Sequence, residues 1–374
     1  MLDALRISLL VLAAVLVVGT VLPFLRKPYW WIRSFDFPRA QIAVLAVVAH
    51  AGLAAVAVAR GRLAPIDAAA LGALGAATAY QLFRIARYSP LWRVQTATAE
   101  NPDRERSLRL VVSNVLMTSR DGERWLRVVR EADPDVVAAV ETDQWWADTT
   151  GALRETHPHA VQLPQDDTYG MCFYSRYPIA ETDVRYLVED VVPSLFLTLT
   201  LPSGEPLRLV ILHPRPPRPD IGQDSTLRDA ELVLAAHAVE AGDLPTVVAG
   251  DLNDVAWSAT TTLFQKIAGM LDPRVGRGLF STFHAKQRLL RYPLDHVFHT
   301  PHLALVSLER LADVGSDHFP MCVELALCAE AAVQEAPDED AEAKGHEAAV
   351  LAEARALKAE ETPEDAAERQ AADV

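Results

Sequence analysis

Cysteine is scarce: the 374-residue chain has three, Cys172, Cys322 and Cys328, and no CxxC pair. An odd, scattered set excludes a disulfide framework and offers neither a thiolate metal site nor a dithiol redox pair. Each lies in or beside an apolar run and reads as a small buried hydrophobe. Basic charge is scarce where a nucleic-acid binder would need it. Residues 100–329 carry 21 Lys/Arg against 33 Asp/Glu, a net charge of −12. Proteins that track long duplex DNA neutralise phosphates with Lys and Arg. That substrate is therefore disfavoured, with Arg215 and Arg218 left as candidates for a local basic rim. Residues 330–374 carry four Lys/Arg against fourteen Asp/Glu and offer no packing face of large residues. They read as an acidic, Ala/Glu-rich disordered tail, with at most a transient helix over Leu351–Glu361.

What the chain has in abundance is apolar sequence near its start. Leu5–Leu25 is almost uninterrupted Leu, Val, Ala and Ile, long enough at helical rise to cross a hydrocarbon core. No small-residue cleavage site follows it, so it reads as a retained helix. Residues 41–59 form a second expected span and 64–83 a third, the weakest because Ala dominates and Asp67 lies near its start. His50, inside the second span, reads as a helix-packing polar residue. Trp30, Trp31, Phe35 and Phe37 lie between the first two spans, as an interfacial aromatic belt would. Residues 1–99 are thus expected to be a membrane region of three helices, making the protein a multi-pass cell-membrane protein with the lipid bilayer as its partner. Seven basic residues flank the spans on one side and three on the other. This favours a cytoplasmic catalytic region, but the short basic turn at Arg60 and Arg62 argues the other way, and the sequence leaves the side open.

From Ser107 the pattern changes to short β-rich runs: 108–116, 135–141, 171–174, 195–201, 207–213, 246–250, 294–299, 303–308 and 319–327. Helical patterns intervene at 120–132, 225–241 and 258–268. Many strands with few helices imply an α/β (α+β) domain over 100–329, with two packed sheets and helices on their outer faces.

Acids, amides and histidines recur at the ends of these runs. Glu141 closes Val136–Val140. His213 closes 207–212 and precedes Pro214. Gly250-Asp251-Leu252-Asn253 follows an apolar strand. Asp251 and Asn253 are two apart, so in an extended backbone they face the same way; the alternative is an Asx turn capping the next helix. Asp295 and His296 follow Leu294, and Asp317-His318 precedes the last strand. A histidine is the natural general base near neutral pH, and Asp295 is placed to orient His318 as a triad acid orients its imidazole. Hard oxygen ligands and imidazoles converging on a divalent cation supply what phosphoester cleavage needs.

Together, Ser-Asn114-Val, Val-Glu141-Thr, Tyr-Ser-Arg176-Tyr-Pro-Ile, Leu-His213-Pro, Gly-Asp251-Leu-Asn253, Leu-Asp295-His-Val and Ser-Asp317-His318-Phe-Pro resemble the endonuclease/exonuclease/phosphatase superfamily. The resemblance runs from about Ser107 to Leu327. It implies a four-layer α/β/β/α sandwich of the deoxyribonuclease-I-like kind. It further implies that Asn114, Glu141 and Asp317 bind Mg²⁺ or Mn²⁺, and that Asp251 positions or deprotonates the attacking water. Asn253 would contact the phosphate, Asp295 would pair with His318, His213 would serve the phosphate oxygens, and Arg176 would be structural. Leu116 stands where DNA-repair members often carry an acid, which counts against a DNA substrate. The expectation is a membrane-anchored, metal-dependent phosphoesterase acting on a lipid, nucleotide or nucleic-acid phosphoester, with no protein partner. Its competitors are a non-catalytic scaffold of the same fold and a nuclease.

Overall fold

The computed structural model describes residues 1–218 and 223–360. Its first part is helical: α1 (Leu2–Val21, prolonged by one tight turn to Leu25), the short α2 (Trp30–Arg33), α3 (Arg39–Ala59) and α4 (Pro65–Ala86). Leu2–Leu25 and Arg39–Ala59 are long and apolar enough to cross a membrane. The third expected span, α4, is a helix of matching length but does not reach that hydropathy. It packs with α1 and α3 through a face that includes Leu74, Ala77, Asp67 and Gln81, all buried.

Two sheets follow. The first contains β1 (Ser107–Asn114), β2 (Val136–Val140), β3 (His159–Leu163), β4 (Met171–Ser175), β10 (Leu303–Arg310) and β11 (Met321–Leu327), in the order β10-β11-β1-β2-β4-β3. The second contains β5 (Ile179–Arg185), β6 (Ser194–Thr200), β7 (Pro206–Ile211), β8 (Thr246–Asp251) and β9 (Asp295–His299), in sequential order. Each sheet has one parallel pair. β1 joins β2 through α5 (Gly122–Ala132), and β7 joins β8 through α7 (Thr226–Glu240). Such crossovers cover the sheet with a helix and leave the carboxyl ends of both strands facing the same way.

Strand periodicity sorts the side chains into layers. Leu110, Val112 and Val136 point inward to meet Leu197, Leu209, Ile211 and Val247 of the other sheet. Their neighbours Val111 and Val137 point outward onto Trp125 of α5 and Trp146 of α6 (Gln144–Thr150). On the opposite face Val210, Val248 and Phe298 meet α7 and α8 (Ala259–Ile267). The result is the expected α/β/β/α sandwich.

Three expectations need correction. β3 and β5 are strands that the sequence pattern does not announce. Both sit at sheet edges, and β5 (Ile-Ala-Glu-Thr-Asp-Val-Arg) is polar and largely exposed, as edge strands are. α6 was also missed. The acidic tail, expected to be disordered, contains α9 (Ala341–Glu360), whose Ala343, Val350 and Ala354 are buried in the cluster with α7 and α8. Small residues at helical spacing form a packing face where the partner helices come close. Residues 361–374 lie outside the described residues.

The segment between α1 and α3 is folded onto the sandwich. Arg33 is buried and reaches Asp254 at 3.1 Å and the Thr260 hydroxyl at 2.8 Å. The Trp257 indole donates to the Asp36 carbonyl at 2.6 Å. Past α4, the Tyr88 hydroxyl donates to the Ala256 carbonyl at 2.7 Å. Thus the aromatic residues read as an interfacial belt flank a buried joint: Ile32 and Arg33 are inside it, while Tyr29 and Trp31 stay exposed.

Candidate active site

The carboxyl ends of the two parallel pairs converge. Asn114 ends β1, Glu141 directly follows β2, His213 lies two residues past β7 and Asp251 ends β8. The strands enforce this, since β1 and β8 lie face to face across the inner core. Gly250 has a specific reason to be glycine: its φ is +147°, and a Cβ there would sit 1.9 Å from the Leu212 carbonyl oxygen. Glu141 and Asn253 also take left-handed φ values, +60° and +51°. Such backbone is costly for non-glycine residues and clusters at functional sites.

The hydrogen bonds tie the set together. The Asn114 amide donates to Glu141 Oε1 at 2.6 Å and to Asp251 Oδ2 at 3.1 Å. Its own oxygen accepts from the Leu116 amide at 2.9 Å. Asp251 Oδ1 accepts from the Asn253 backbone at 2.9 Å, and the Asn253 side chain donates to the Pro214 carbonyl at 3.0 Å. Asp251 therefore forms an Asx-type turn with the Asn253 amide, the Asn253 side chain spans to the His213 loop, and the next helix is capped by Ser258 instead. His318 Nδ1 lies 2.7 Å from Asp295 Oδ2, and Nε2 lies 3.5 Å from Asp251 Oδ2. His213 Nε2 is 3.9 Å from Glu141 Oε1, and its buried Nδ1 has no hydrogen-bond partner among the described residues. Asp317 is half-buried beside this group, and its charge is felt at both Glu141 and His318. All eight expected site residues thus lie in one cluster.

Electrostatics divides their roles. Burial lowers the His318 pKa, but Asp295 and Asp251 outweigh it, and the imidazole is pushed up to about 10. The two carboxylates thus hold His318 toward its imidazolium form. Burial holds His213 below its ordinary value and hence neutral, with Asp251 opposing. Burial pushes Glu141 up to about 7; the Asn114 hydrogen bond and His318 oppose this, while Asp251 and Asp317 add to it. Asp251, Asp295 and His318 present ligand atoms within 4.8 Å of one another. Within this trio His318 Nδ1 and Asp295 Oδ2 are in contact at 2.7 Å.

Some residues missed in the sequence complete the site. The Ser316 hydroxyl accepts from the His318 backbone at 3.0 Å, and the Phe283 ring lies 5.0 Å from the His318 ring. Tyr169 flanks His213 at 5.8 Å. No sequence signal marks these, because each acts through contacts distant in the chain. Arg215, considered for a basic rim, is buried, donates to Glu189 at 2.8 Å and lies over the Tyr169 ring. Arg176 pairs with Asp133, outside the cluster.

A family model, the Endonuclease/Exonuclease/phosphatase family, matches residues 111–318. The chain belongs to the endonuclease/exonuclease/phosphatase family. Among solved structures, the human Nocturnin catalytic domain with bound sulfate anion is similar at 15% identity and TM-score 0.50, covering 61% of this chain and 97% of that one. An endonuclease/exonuclease/phosphatase from Bacteroides vulgatus is similar at 19% identity and TM-score 0.49, covering 59% and 99%. D. rerio TDP2 complexed with single strand DNA product is similar at 16% identity and TM-score 0.49, covering 59% and 98%. These likenesses concern the fold. A comparison with curated proteins gave no match.

Proposed function

We propose that this family member is a membrane-anchored, divalent-metal-dependent phosphoesterase that hydrolyses a phosphodiester or phosphomonoester. The observation that carries the reading is the hydrogen-bonded cluster of Asn114, Glu141, Asp251, Asn253, Asp295 and His318. An intact set of this kind favours catalysis over a scaffold that merely keeps the fold.

Glu141 and Asp317 fit a hard divalent cation. Burial drives Glu141 toward protonation, with the like charges of Asp251 and Asp317 adding to it, and a bound cation offsets both by favouring the carboxylate. Asn114 is held against Glu141 and would complete the oxygen-rich set. Mg²⁺ or Mn²⁺ supplies Lewis-acid polarisation of the phosphoryl group and charge neutralisation at the leaving oxygen. The protein's own residues do the rest. Asp251 orients water and takes its proton as the water oxygen bonds to phosphorus and the ester P–O bond breaks. The His318 imidazolium, fixed by Asp295, stabilises the charge on the phosphoryl oxygens. Neutral His213 and the second N–H of the Asn253 amide, whose first is on the Pro214 carbonyl, would donate to the same oxygens.

Three spans suit the anchoring better than two. α1 ends, and α3 begins, at the segment docked on the sandwich, and α4 ends two residues before Tyr88, which docks there too. If α3 crosses a bilayer, the chain must return from Ala59, and α4 is the element that does so. Its 22 residues rise about 33 Å. Asp67 is tolerable because it is buried against Arg6 at 2.7 Å.

The test uses the full chain in nanodiscs with bis(p-nitrophenyl) phosphate, p-nitrophenyl phosphate and phospholipids, with Mg²⁺, Mn²⁺ or EDTA. Metal-dependent turnover that Asp251→Ala abolishes is expected. Turnover indifferent to EDTA, or none on any substrate, overturns the reading.

A further inference from the structure

The site has an unusual neighbour. Between Asp272 and Asp295 the sequence has no acid and five cations, Arg274, Arg277, Lys286, Arg288 and Arg291, inside a domain of net charge −12. The middle of this stretch is a hairpin. Phe283 and Tyr292 exchange backbone hydrogen bonds, and His284 donates to the Leu290 carbonyl at 3.0 Å. Its base touches the catalytic cluster: Phe283 lies against His318, and the Ala285 amide donates to the Asp317 carbonyl at 2.6 Å. Its tip touches the first turn of α3. The Gln41 side chain donates to the Leu289 carbonyl, and Phe37 meets Tyr292 edge-on at 5.5 Å.

The tip is apolar and unshielded. Leu289 is 83% exposed and Leu290 45%. Among the described residues of 100–329, the other large apolar side chains exposed to this degree are Trp145 and Tyr186, each isolated from this pair in the sequence. Adjacent exposed leucines flanked by the exposed Lys286 and Arg288 match a bilayer interface: apolar side chains enter the acyl boundary while cations meet anionic headgroups. Lys286 also donates to the Gly315 carbonyl at 3.2 Å, and Arg291 turns back to the His284 and Ala285 carbonyls. The contact with Gln41 puts them at the depth where α3 would enter the hydrocarbon. From Leu289 back to Tyr292 the hairpin is three residues long, about 10 Å when extended.

Resting on the phosphoesterase reading, we infer that the 286–291 tip sits in the membrane interface and that the site takes its phosphoester from an amphiphile embedded in the bilayer. The hairpin sets the height of the catalytic centre one headgroup length above the lipid. Leu289 and Leu290 contact lipid and touch no catalytic group, so they govern access to bilayer substrate and not the chemical step.

Two measurements on the full chain, in nanodiscs of phosphatidylcholine and phosphatidylglycerol, test this. The first places a nitroxide at Leu290→Cys in a Cys328→Ser background, the other two cysteines being buried. The label should be more accessible to oxygen than to a water-soluble nickel chelate; the reverse overturns the membrane seat. The second compares substrates. Leu289→Ser with Leu290→Ser should lower turnover of disc phosphatidylglycerol about tenfold and leave bis(p-nitrophenyl) phosphate turnover unchanged. Parallel loss on both substrates, or loss on neither, overturns the inference. So does an unsubstituted chain that cleaves the soluble diester and prefers short-chain to bilayer phosphatidylglycerol. A chain that cleaves nothing sinks the phosphoesterase reading instead, and the label depth still decides where the tip lies.

Discussion

Asn253 and Asp254 are adjacent in the chain yet belong to two different buried charge clusters. Around Asp254, three cations meet three acids: Arg33, Arg39 and Arg228 against Asp36, Asp229 and Asp254, all buried. Arg228 reaches Asp229 at 2.6 Å and Asp254 at 3.3 Å, and Arg39 reaches Asp36 at 2.6 Å. On the Asn253 side, Glu141, Asp251, Asp295 and Asp317 have His318 as the cation among them. Burial of charge is common to both clusters, so burial does not mark the active site. Imbalance separates them: the first cluster is neutralised within the protein and holds the segment between α1 and α3 to the sandwich, while the second has an acid excess that the proposed divalent cation would satisfy. The Arg228 guanidinium, which donates to the Asn253 carbonyl at 2.7 Å, couples the two, so the balanced cluster also positions the catalytic loop.

The contrast can be broken from either side. Asp251→Ala or His318→Ala should cut turnover about 10³-fold or more while the melting curve stays native-like; comparable activity in either variant would remove its assigned role. Arg33→Met should do the opposite. It leaves Asp254 and Asp229 buried without one of their cations, costing about 3–5 kcal/mol of stability, readable as a lower denaturation midpoint of the full chain in detergent. An unchanged midpoint would mean that the joint is not held by this cluster.

Metal should also separate the two clusters. Adding Mg²⁺ or Mn²⁺ should raise the melting temperature of the wild type by a few degrees, and of Glu141→Gln by much less, by preferential binding to the folded state. Because Glu141 is pushed up to about 7 without metal, a proton competes with the cation, so apparent metal affinity should weaken as pH falls below 7. A pH-independent affinity would contradict this.

Glu231 sharpens the comparison with a single buried acid. It accepts from the Ser194 hydroxyl at 3.1 Å, and burial pushes it up to about 8 from 4.5. The folded chain keeps a proton that the unfolded chain releases. The stability this confers is full below about pH 4.5 and is lost as pH rises toward 8. Glu231→Gln should flatten that slope in thermal melts between pH 5 and 8; an unaltered slope would place the titration elsewhere.

The central strands were legible because buried strands are continuous apolar runs: β1, β2 and β8 lie within two residues of where the sequence puts them. Edge strands β3 and β5 were not, because half-exposed strands carry polar residues. The site was legible as a motif set, since chemistry restricts which residue types stand at strand ends. The protonation of His318 was not legible, because it depends on two carboxylates that the fold brings within 3.5 Å. α9 escaped for a related reason: alanine forms a packing face only when another helix is already close.

The sequence by itself determined the layers, the family motifs and the two strongly apolar helices, because hydrophobic period and residue chemistry are local properties of the chain. The tertiary structure alone decided which buried charges are neutralised, which histidine two carboxylates hold toward its charged form, and that the 283–292 hairpin links His318 to the first turn of α3. Charge balance and proximity are sums over residues distant in sequence, and only folding performs that sum.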